Sequence, residues 1–221
     1  MSIRTVEQLV DAVSTEISWR RKELTDLQIM LESAGDSRTR QAALSRAALA
    51  LLYAHWEGFV KAVAEFYLEF VCMQRLRNHE LSDSLLAVTL RSALQAAEAS
   101  HRIGAHTDVV RFFRTQMDTR SRLPYKNVIR TESNLSSTVL LEILRTLGFP
   151  TADCELKSHL LDHQLLAKRN HVAHGSSLIV GKDEYLSLHD EVLALMNLLR
   201  NYIENAAVTG TYLQSGAGAA D

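Results

Sequence analysis

The side chains best suited to chemistry in this chain lie in one short stretch, Lys168 to Gly175, which reads KRNHVAHG. It ends an otherwise apolar helical pattern, and glycine commonly ends helices. In a helix Asn170 and His174 are four residues apart and share one face, while Arg169 lies about 140° round from His174. A structural helix end needs one cation and a cap, not four side chains able to donate or accept protons and hydrogen bonds.

These side chains suit phosphodiester transfer. His174, in the last turn, can move a proton, and the helix dipole favours its protonated form there. Arg169 can bind a phosphate and its developing charge, and Asn170 can act as an amide donor. R-x4-H is nevertheless a short pattern that arises by accident, and helix ends often carry Arg and His only to satisfy terminal carbonyl groups. The residues alone leave both interpretations open.

Length and composition predict a single helical domain. The chain has 221 residues, of which 47% are hydrophobic and 23% charged, as expected for one globular domain with a real core. Two prolines and nine glycines are too few for a fold of short strands and turns, so long helices are expected. We predict one domain over residues 1–214, and a flexible tail without function over residues 215–221.

The sequence predicts a cytoplasmic protein with no membrane segment. The longest apolar-rich run, residues 42–71, contains too many charges for a lipid span, and the N-terminus lacks the apolar core of a signal peptide. Cys72 and Cys154 are far apart and form no CxxC pair, which fits a reducing compartment. Because the formal net charge is −2, nucleic-acid binding would need a local basic patch.

Helical periodicity predicts an all-α bundle with a mid-chain insertion at about residues 80–130. The central helix is apolar on nearly every face, and the first, amphipathic helix should cover it. Asn134 or Ser136 is expected to cap the fourth helix, which stops at Gly148. The predicted helices span about Thr5–Ala34, Ser37–Asn78, Leu81–Phe113, the stretch SSTVLLEILRTLGF, Ala152–His174 and Glu184–Ala207.

Three polar side chains, His55, Glu57 and Lys61, interrupt the most apolar helix. Burying such groups costs free energy unless they are paired. Glu57 and Lys61 are four residues apart, so a salt bridge explains part of the pattern. The alternative is that His55 or Glu57 reaches the active cleft and orients Arg169 or His174.

The polar segment within the predicted insertion carries a candidate RNA-binding surface. Its cations alternate with aromatic side chains, a combination that suits single-stranded RNA through phosphate contacts and base stacking. A merely solvated loop is the alternative. The candidate RNA-binding residues are Arg120, Arg122, Lys126 and Arg130.

A zinc site is not expected. His159 and His163 are four residues apart, His171 and His174 are three apart, and a cysteine lies nearby. No third and fourth ligand follow at a familiar spacing, and there is no HExxH motif. We therefore predict no metal and no cofactor.

Three blocks of sequence resemble the HEPN superfamily, and more specifically the MAE_28990/MAE_18760-type HEPN-like nucleases. The motif RNHVAH, Arg169-Asn170-x-x-x-His174, matches the family's signature of Arg, often followed by Asn, and then His. The blocks are LLYAHWEGFVK, TESNLSSTVLLEIL and LLAKRNHVAHG, at residues 51–61, 131–144 and 165–175. They occur in the family's order, and the resemblance extends from about residue 40 to 205.

The resemblance implies a metal-independent endoribonuclease that works as a homodimer, with two copies of the motif facing one cleft. Arg169 and His174 match the catalytic pair, Asn170 matches the polar position beside the arginine, and His171 is at most a supporting residue. Many HEPN toxins carry a tyrosine two residues after the histidine, where this chain has Ser176.

Members of the family recur in toxin–antitoxin, abortive-infection and restriction-linked systems, so the resemblance implies an RNA substrate and an antitoxin or regulatory protein as partner. The alternative function is a non-catalytic HEPN module that acts as a dimerising or regulatory partner.

Overall fold

The protein is a helical bundle built around one long apolar helix. A computed structural model describes residues 2–35, 37–100, 102–132 and 134–214. Within these ranges the chain forms eight α-helices and no β-strand, which confirms the all-α prediction. The helices are α1 (Val6–Glu32), α2 (Arg38–Met73), α3 (Asp83–Glu98), α4 (Ile103–Thr115), α5 (Ser137–Leu147), α6 (Ala152–Glu155), α7 (Ala167–Ala173) and α8 (Lys182–Thr209).

Helix α2 lies at the centre of the core because its apolar residues face several directions. Trp56, Phe59 and Tyr67 are almost completely buried, and each such side chain stabilises the fold by about 1.5–3 kcal/mol relative to exposure. Helices α1 and α8 pack against α2 and against each other. Helix α1 contributes a single apolar face, which includes Leu9 and Val13, so the prediction that it covers α2 is confirmed.

Two predicted helices are interrupted. The predicted helix Leu81–Phe113 is divided into α3 and α4, where the Ser100 hydroxyl accepts a hydrogen bond from the Arg102 backbone at 3.1 Å and so competes with the helical bonding pattern. The predicted helix Ala152–His174 is divided into α6, a π-helical segment (Leu160–Leu166) and α7. A π turn is wider than an α turn, so it shifts the face on which every later side chain lies.

Of the two residues predicted as alternative caps of the fourth helix, Ser136 is the cap in the structure. Ser136 caps α5 by accepting a hydrogen bond from the Val139 backbone at 3.3 Å, and Gly148 ends the helix in the left-handed conformation at φ 76°. Asn134 has a different contact, with Arg169.

Most of the predicted insertion packs as part of the bundle. Leu85 and Val88 of α3 and Leu123 and Ile129 of the irregular segment after α4 belong to the same apolar core as α2. An isolated antiparallel bridge between Arg77 and Arg120 ties this irregular segment to the end of α2. Helix α4 differs, because it contributes no buried residue and packs mainly against α3.

Helix α8 ends at Thr209 and is capped by Gly210, and Leu213 forms an isolated bridge with Leu81. The predicted tail, residues 215–221, lies outside the described residues. Among the helices that the structure describes, none is both long and apolar enough to cross a membrane.

Candidate active site

Arg169 is held by side chains from two separate parts of the chain. Its guanidinium carbon lies 3.8 Å from the centroid of the Tyr53 ring on α2, which is a cation–π contact. Its Nη2 donates a hydrogen bond to Asn134 Oδ1 at 3.2 Å, and lies 4.0 Å from Glu57 Oε2. The Arg169 side chain is 19% exposed, so it is fixed in place but still accessible from one side.

Tyr53 is the residue in this site that sequence reasoning missed. It is buried, and its hydroxyl accepts a hydrogen bond from the Leu135 backbone at 2.6 Å. Burial raises the pKa of Tyr53, although hydrogen bonds from Leu135 and Arg169 act in the opposite direction. The neutral phenol therefore anchors the segment before α5 to α2. Tyr53 and Glu57 are four residues apart on α2, and this spacing is the signal that would have found it.

His55 lies on the opposite side of α2 from Tyr53 and Glu57. Two residues along an α-helix correspond to a rotation of about 200°, so the alternate residue must face elsewhere. The His55 backbone oxygen accepts a hydrogen bond from Arg20 Nη1 on α1 at 3.2 Å. The His55 Nε2 lies 3.2 Å from Glu23 Oε2, also on α1. Of the two supporting residues predicted in α2, the structure places Glu57 beside Arg169 and His55 against α1.

The salt bridge between Glu57 and Lys61, one of the two interpretations of these residues, is not formed. Within the described part of the chain no ion pair joins these residues, and Lys61 is exposed. Glu57 lies close to Arg169 instead, so the tertiary contact replaces the local one.

Helix α7 ends as the motif predicts. Gly175 has φ 74°, its backbone N–H donates to Val172 O, and the Ser176 N–H donates to His171 O, both at 3.0 Å. This pair of bonds satisfies the last helical carbonyl groups through a left-handed glycine. His174 is the capping residue and is exposed.

The remaining members of the motif lie close by on α7. Asn170 is half-buried, and its carbonyl accepts the His174 backbone N–H at 3.0 Å. His171 is exposed. Among the described residues no hydrogen bond or ion pair joins the His174 side chain to any partner. A single chain therefore holds Arg169 in place through several contacts, whereas His174 is exposed to solvent.

The helix that carries the motif is itself clamped to its neighbours. Asp162, in the π-helical segment, accepts hydrogen bonds from the Ser137 backbone N–H at 2.7 Å and from its hydroxyl at 2.5 Å. Lys168 forms an ion pair with Glu184 of α8. These contacts fix α7 relative to the start of α5, and so fix Arg169 relative to Asn134.

The four predicted RNA-binding side chains line two adjoining clefts. Arg120 and Arg122 border a cleft of about 880 Å³, and Lys126 and Arg130 border a second of about 350 Å³. Thr89 of α3 lies between them and lines both. Arg91 of α3 also lines the second cleft, and no acidic residue lines either one among the described residues. Sequence reasoning missed Arg91 because it lies well before the polar segment.

The histidines outside the motif form no candidate metal site among the described residues. The rings of His159 and His163 are 4.9 Å apart in and beside the π-helical segment. Across the ranges that the structure describes, no group of three or more His, Cys, Asp or Glu side chains is placed to hold a metal ion.

Comparison with known proteins gives one family match. The chain matches the family model described as HEPN_MAE_28990/-like HEPN over residues 9–212, which is most of its length. No curated protein and no solved structure matches the chain. HEPN domains are frequently RNases. Because the match covers residues 9–212, the protein belongs to the MAE_28990-like HEPN family.

Proposed function

We propose that this protein is a metal-independent endoribonuclease whose reacting groups are Arg169, Asn170 and His174. The observation that carries the proposal is the setting of Arg169, which stacks on a buried tyrosine ring and donates to Asn134 while remaining partly exposed. A guanidinium held in this way is pre-organised to bind a phosphate and the charge that develops on it. Membership of a family whose domains are often RNases supports the same reaction.

In the proposed reaction an RNA 2′-oxygen attacks the adjacent phosphorus. The new O2′–P bond forms while the P–O5′ bond breaks, which leaves a 2′,3′-cyclic phosphate and a 5′-hydroxyl. An imidazole accepts the proton of the 2′-hydroxyl, and an imidazolium donates a proton to the departing O5′. Arg169 neutralises charge on the non-bridging oxygens, and Asn170 orients the phosphate or the arginine.

We propose that the protein works as a two-fold homodimer, because the reaction needs one base and one acid and each chain has one His174. The exposure of the α7 end supports this arrangement: His171 and His174 are open to solvent, and nearby Ile179 is 84% exposed. Two copies meeting here would bring two His174 and two Arg169 side chains to one cleft. Light scattering should show a dimer at micromolar concentration, and an active preparation that is only monomeric would contradict the proposal.

We propose RNA as the ligand of the basic clefts and a toxin or defence effector as the cellular role. Arg120, Arg122, Lys126 and Arg130 border clefts with no acidic side chain among the described residues, which suits a polyanion. The free thiols of Cys72 and Cys154 fit action on RNA in the cytoplasm. An antitoxin or regulatory protein would inhibit the proposed endoribonuclease activity.

The reaction is tested by incubating the purified protein with a defined single-stranded RNA in EDTA. We expect cleavage without added metal and products that end in a 2′,3′-cyclic phosphate or its hydrolysed form. A matched RNA with one 2′-deoxy residue at the cut site should resist, because the nucleophile is missing. Cleavage that requires Mg²⁺, or that survives the 2′-deoxy substitution, would reject the mechanism.

Expression in cells separates the enzyme from the non-catalytic HEPN module. An endoribonuclease of this kind should arrest growth, and His174→Ala should relieve the arrest at equal protein level. A module that acts only by binding a partner would give the same phenotype with and without His174.

A further inference from the structure

Helix α4 is amphipathic, yet the fold buries none of its residues. Its half-buried side chains, Ala105, Val109 and Phe112, are spaced four and three residues apart and therefore share one face, which lies towards α3. His106 fastens the helix to α3, because its Nε2 donates a hydrogen bond to Ala97 O at 2.9 Å. The fold uses this one face of α4 and leaves the other side chains of the helix exposed.

Large apolar side chains occupy a second face of α4, which is exposed. Ile103 is 77% exposed, Val110 50% and Phe113 49%. With His106 they occur at intervals of three, four and three residues, which is the spacing of the a and d positions in a coiled coil. We call Ile103, His106, Val110 and Phe113 the α4 seam. Its pattern is that of one half of a helix pair.

The charged side chains beside the α4 seam are cationic. In the heptad register that the seam defines, Arg102 falls at position g and Arg114 at position e, the two positions that flank a and d. Both arginines are exposed, and neither forms an ion pair within the described ranges. The one acidic residue of α4, Asp108, pairs with Arg111 at 2.7 Å. A helix that packs on the seam therefore meets an unpaired cation on each side.

A second copy of this chain fits the α4 seam poorly. Pairing α4 with itself would bring the arginines of the two copies together, and like charges at flanking positions disfavour pairing. The seam also lies away from the proposed dimer contact at the end of α7. Phe112 of α4 borders a cleft with Cys72, which is about 28 Å along α2 from Tyr53, the residue that contacts Arg169. Dimerisation at α7 therefore leaves the seam uncovered.

A membrane surface and RNA also fit the α4 seam less well than a helix does. Helices that lie in a membrane interface have a broad apolar face, whereas a strict a and d stripe is narrow and typical of helix pairs. RNA is bound through stacking, hydrogen bonds and phosphate contacts, and Ile103 and Val110 provide none of these. Aliphatic side chains at this spacing are suited to the apolar side chains of another helix.

We propose that the α4 seam is the docking surface for a helix of another protein, one with apolar residues at its a and d positions and glutamate or aspartate at its e and g positions. Ile103, Val110 and Phe113 pack between the apolar side chains of that helix, and Arg102 and Arg114 pair with its carboxylates. The surface lies outside the proposed cleavage site, and the proposal does not depend on the endoribonuclease reaction.

Two synthetic peptides of three heptads serve as probes, each with leucine at every a and d position. One peptide has glutamate at every e and g position, the other has lysine there, and the remaining positions are identical. Fluorescence anisotropy of each labelled peptide, titrated with the full-length protein, measures binding. We expect the glutamate peptide to bind with a micromolar dissociation constant, and at least about tenfold more tightly than the lysine peptide, because only its flanking charges are complementary to the arginines.

The apolar part of the surface is tested by Ile103→Ser/Phe113→Ser. This variant should bind the glutamate peptide at least about tenfold more weakly, because two apolar anchors are lost. Leu156→Ser/Val208→Ser is the matched control, since Leu156 and Val208 are 83% and 70% exposed and lie outside α4. All four side chains are exposed, so thermal unfolding followed by circular dichroism should be unchanged in both variants.

The charged part of the surface is tested by Arg102→Glu/Arg114→Glu. This variant should reverse the preference, so that the lysine peptide binds more tightly than the glutamate peptide. A reversal cannot result from unfolding, because an unfolded α4 would bind neither peptide. Arg38→Glu/Arg40→Glu is the matched control, since it makes the same change in net charge at the exposed start of α2 and should keep the original preference.

Several results would overturn the proposal. Among them are no binding of either peptide at about 100 µM protein, equal binding of both peptides, and an equal loss of binding in the control variants. A smaller mass of Ile103→Ser/Phe113→Ser than of the wild type in light scattering would assign the seam to a second copy. Binding of phosphatidylserine vesicles or of a 2′-O-methyl oligonucleotide that is lost in this variant, without binding of the glutamate peptide, would assign the seam to a membrane or to RNA.

Discussion

The Arg169 site and the cleft bordered by Arg120 and Arg122 both use arginine side chains, but in opposite structural settings. Arg169 stacks on Tyr53, donates to Asn134 and is 19% exposed. Arg120 and Arg122 are exposed, and neither forms a hydrogen bond or ion pair through its side chain among the described residues. The contacts of Arg169 restrict the conformations of its side chain before the substrate binds. This suits an arginine that stabilises charge developing in a transition state. The exposed setting of Arg120 and Arg122 leaves long cations free to follow a flexible polyanion.

This difference predicts that substitutions at the Arg169 site lower the turnover rate, whereas substitutions in the cleft bordered by Arg120 and Arg122 lower the affinity for RNA. The largest effect is expected for His174→Ala, which should lower the cleavage rate by about 10²–10⁴-fold because a general acid–base group is lost. His174 is exposed, so thermal unfolding followed by circular dichroism should be unchanged. His171→Ala is the matched control, because His171 is also an exposed histidine near the end of α7. An equal loss of rate in both variants would contradict the proposed role of His174.

Arg169→Lys should lower the rate at saturating RNA by about 10²-fold, because an ammonium group cannot reproduce the planar fork that stacks on Tyr53 and donates to Asn134. The same substitution at the exposed Arg122 should leave that rate nearly unchanged. Rates measured at saturating RNA for both variants test the contrast, and similar losses would mean that the two settings do not differ in function.

Asn134→Ala should lower the rate at saturating RNA about tenfold, since it removes a hydrogen bond to a charged group that positions Arg169. Asn197→Ala is a matched control, because Asn197 accepts a 2.9 Å hydrogen bond from Arg21 on a different, exposed surface. Single-turnover kinetics of both variants provide the measurement. If Asn134→Ala has full activity, the other contacts of Arg169 are sufficient to position it.

Charge reversal in the clefts, Arg122→Glu/Lys126→Glu, should weaken RNA binding and reduce its salt dependence. For single-stranded RNA the loss of two phosphate contacts lowers the slope of log K against log salt by about 1.4. The control Arg38→Glu/Arg40→Glu makes the same change in net charge at the exposed start of α2. Binding titrations from low to moderate salt test this, and an unchanged slope would assign these residues to a solvated loop.

The smallest effect concerns stability and involves neither site. Burial lowers the pKa of His55, the Arg20 charge lowers it further, and Glu23 opposes them. Because the folded pKa lies below the unfolded value of about 6.5, this group's contribution to stability is complete above about pH 6.5 and is lost as the pH falls. His55→Gln should therefore lose less stability than the wild type between pH 7 and 5 in urea titrations. Parallel curves for the two proteins would contradict this.

Much of the fold follows from the sequence, but parts of two helices do not. The apolar length of α2, the amphipathic face of α1 and the glycine stops at Gly148 and Gly175 are local patterns, and the structure contains all of them. The break between α3 and α4 and the π-helical segment before α7 were not predicted. Both depend on one or two local hydrogen bonds and on packing that a periodic pattern does not encode.

The sequence by itself determined the helical class, the end of α7, and the presence of Arg169, Asn170 and His174 within about one and a half turns of each other. These are properties of residue type and spacing along one helix, and helical geometry alone converts them into positions.

Only the tertiary structure decided which side chains surround Arg169. Asn134 is 35 residues away in sequence, and Tyr53 and Glu57 lie on a helix much earlier in the chain. Their approach depends on how α2, α5 and α7 pack and on the clamp between Asp162 and Ser137. The same packing turned His55 towards α1, because a helix packed on several sides presents each face to a different neighbour.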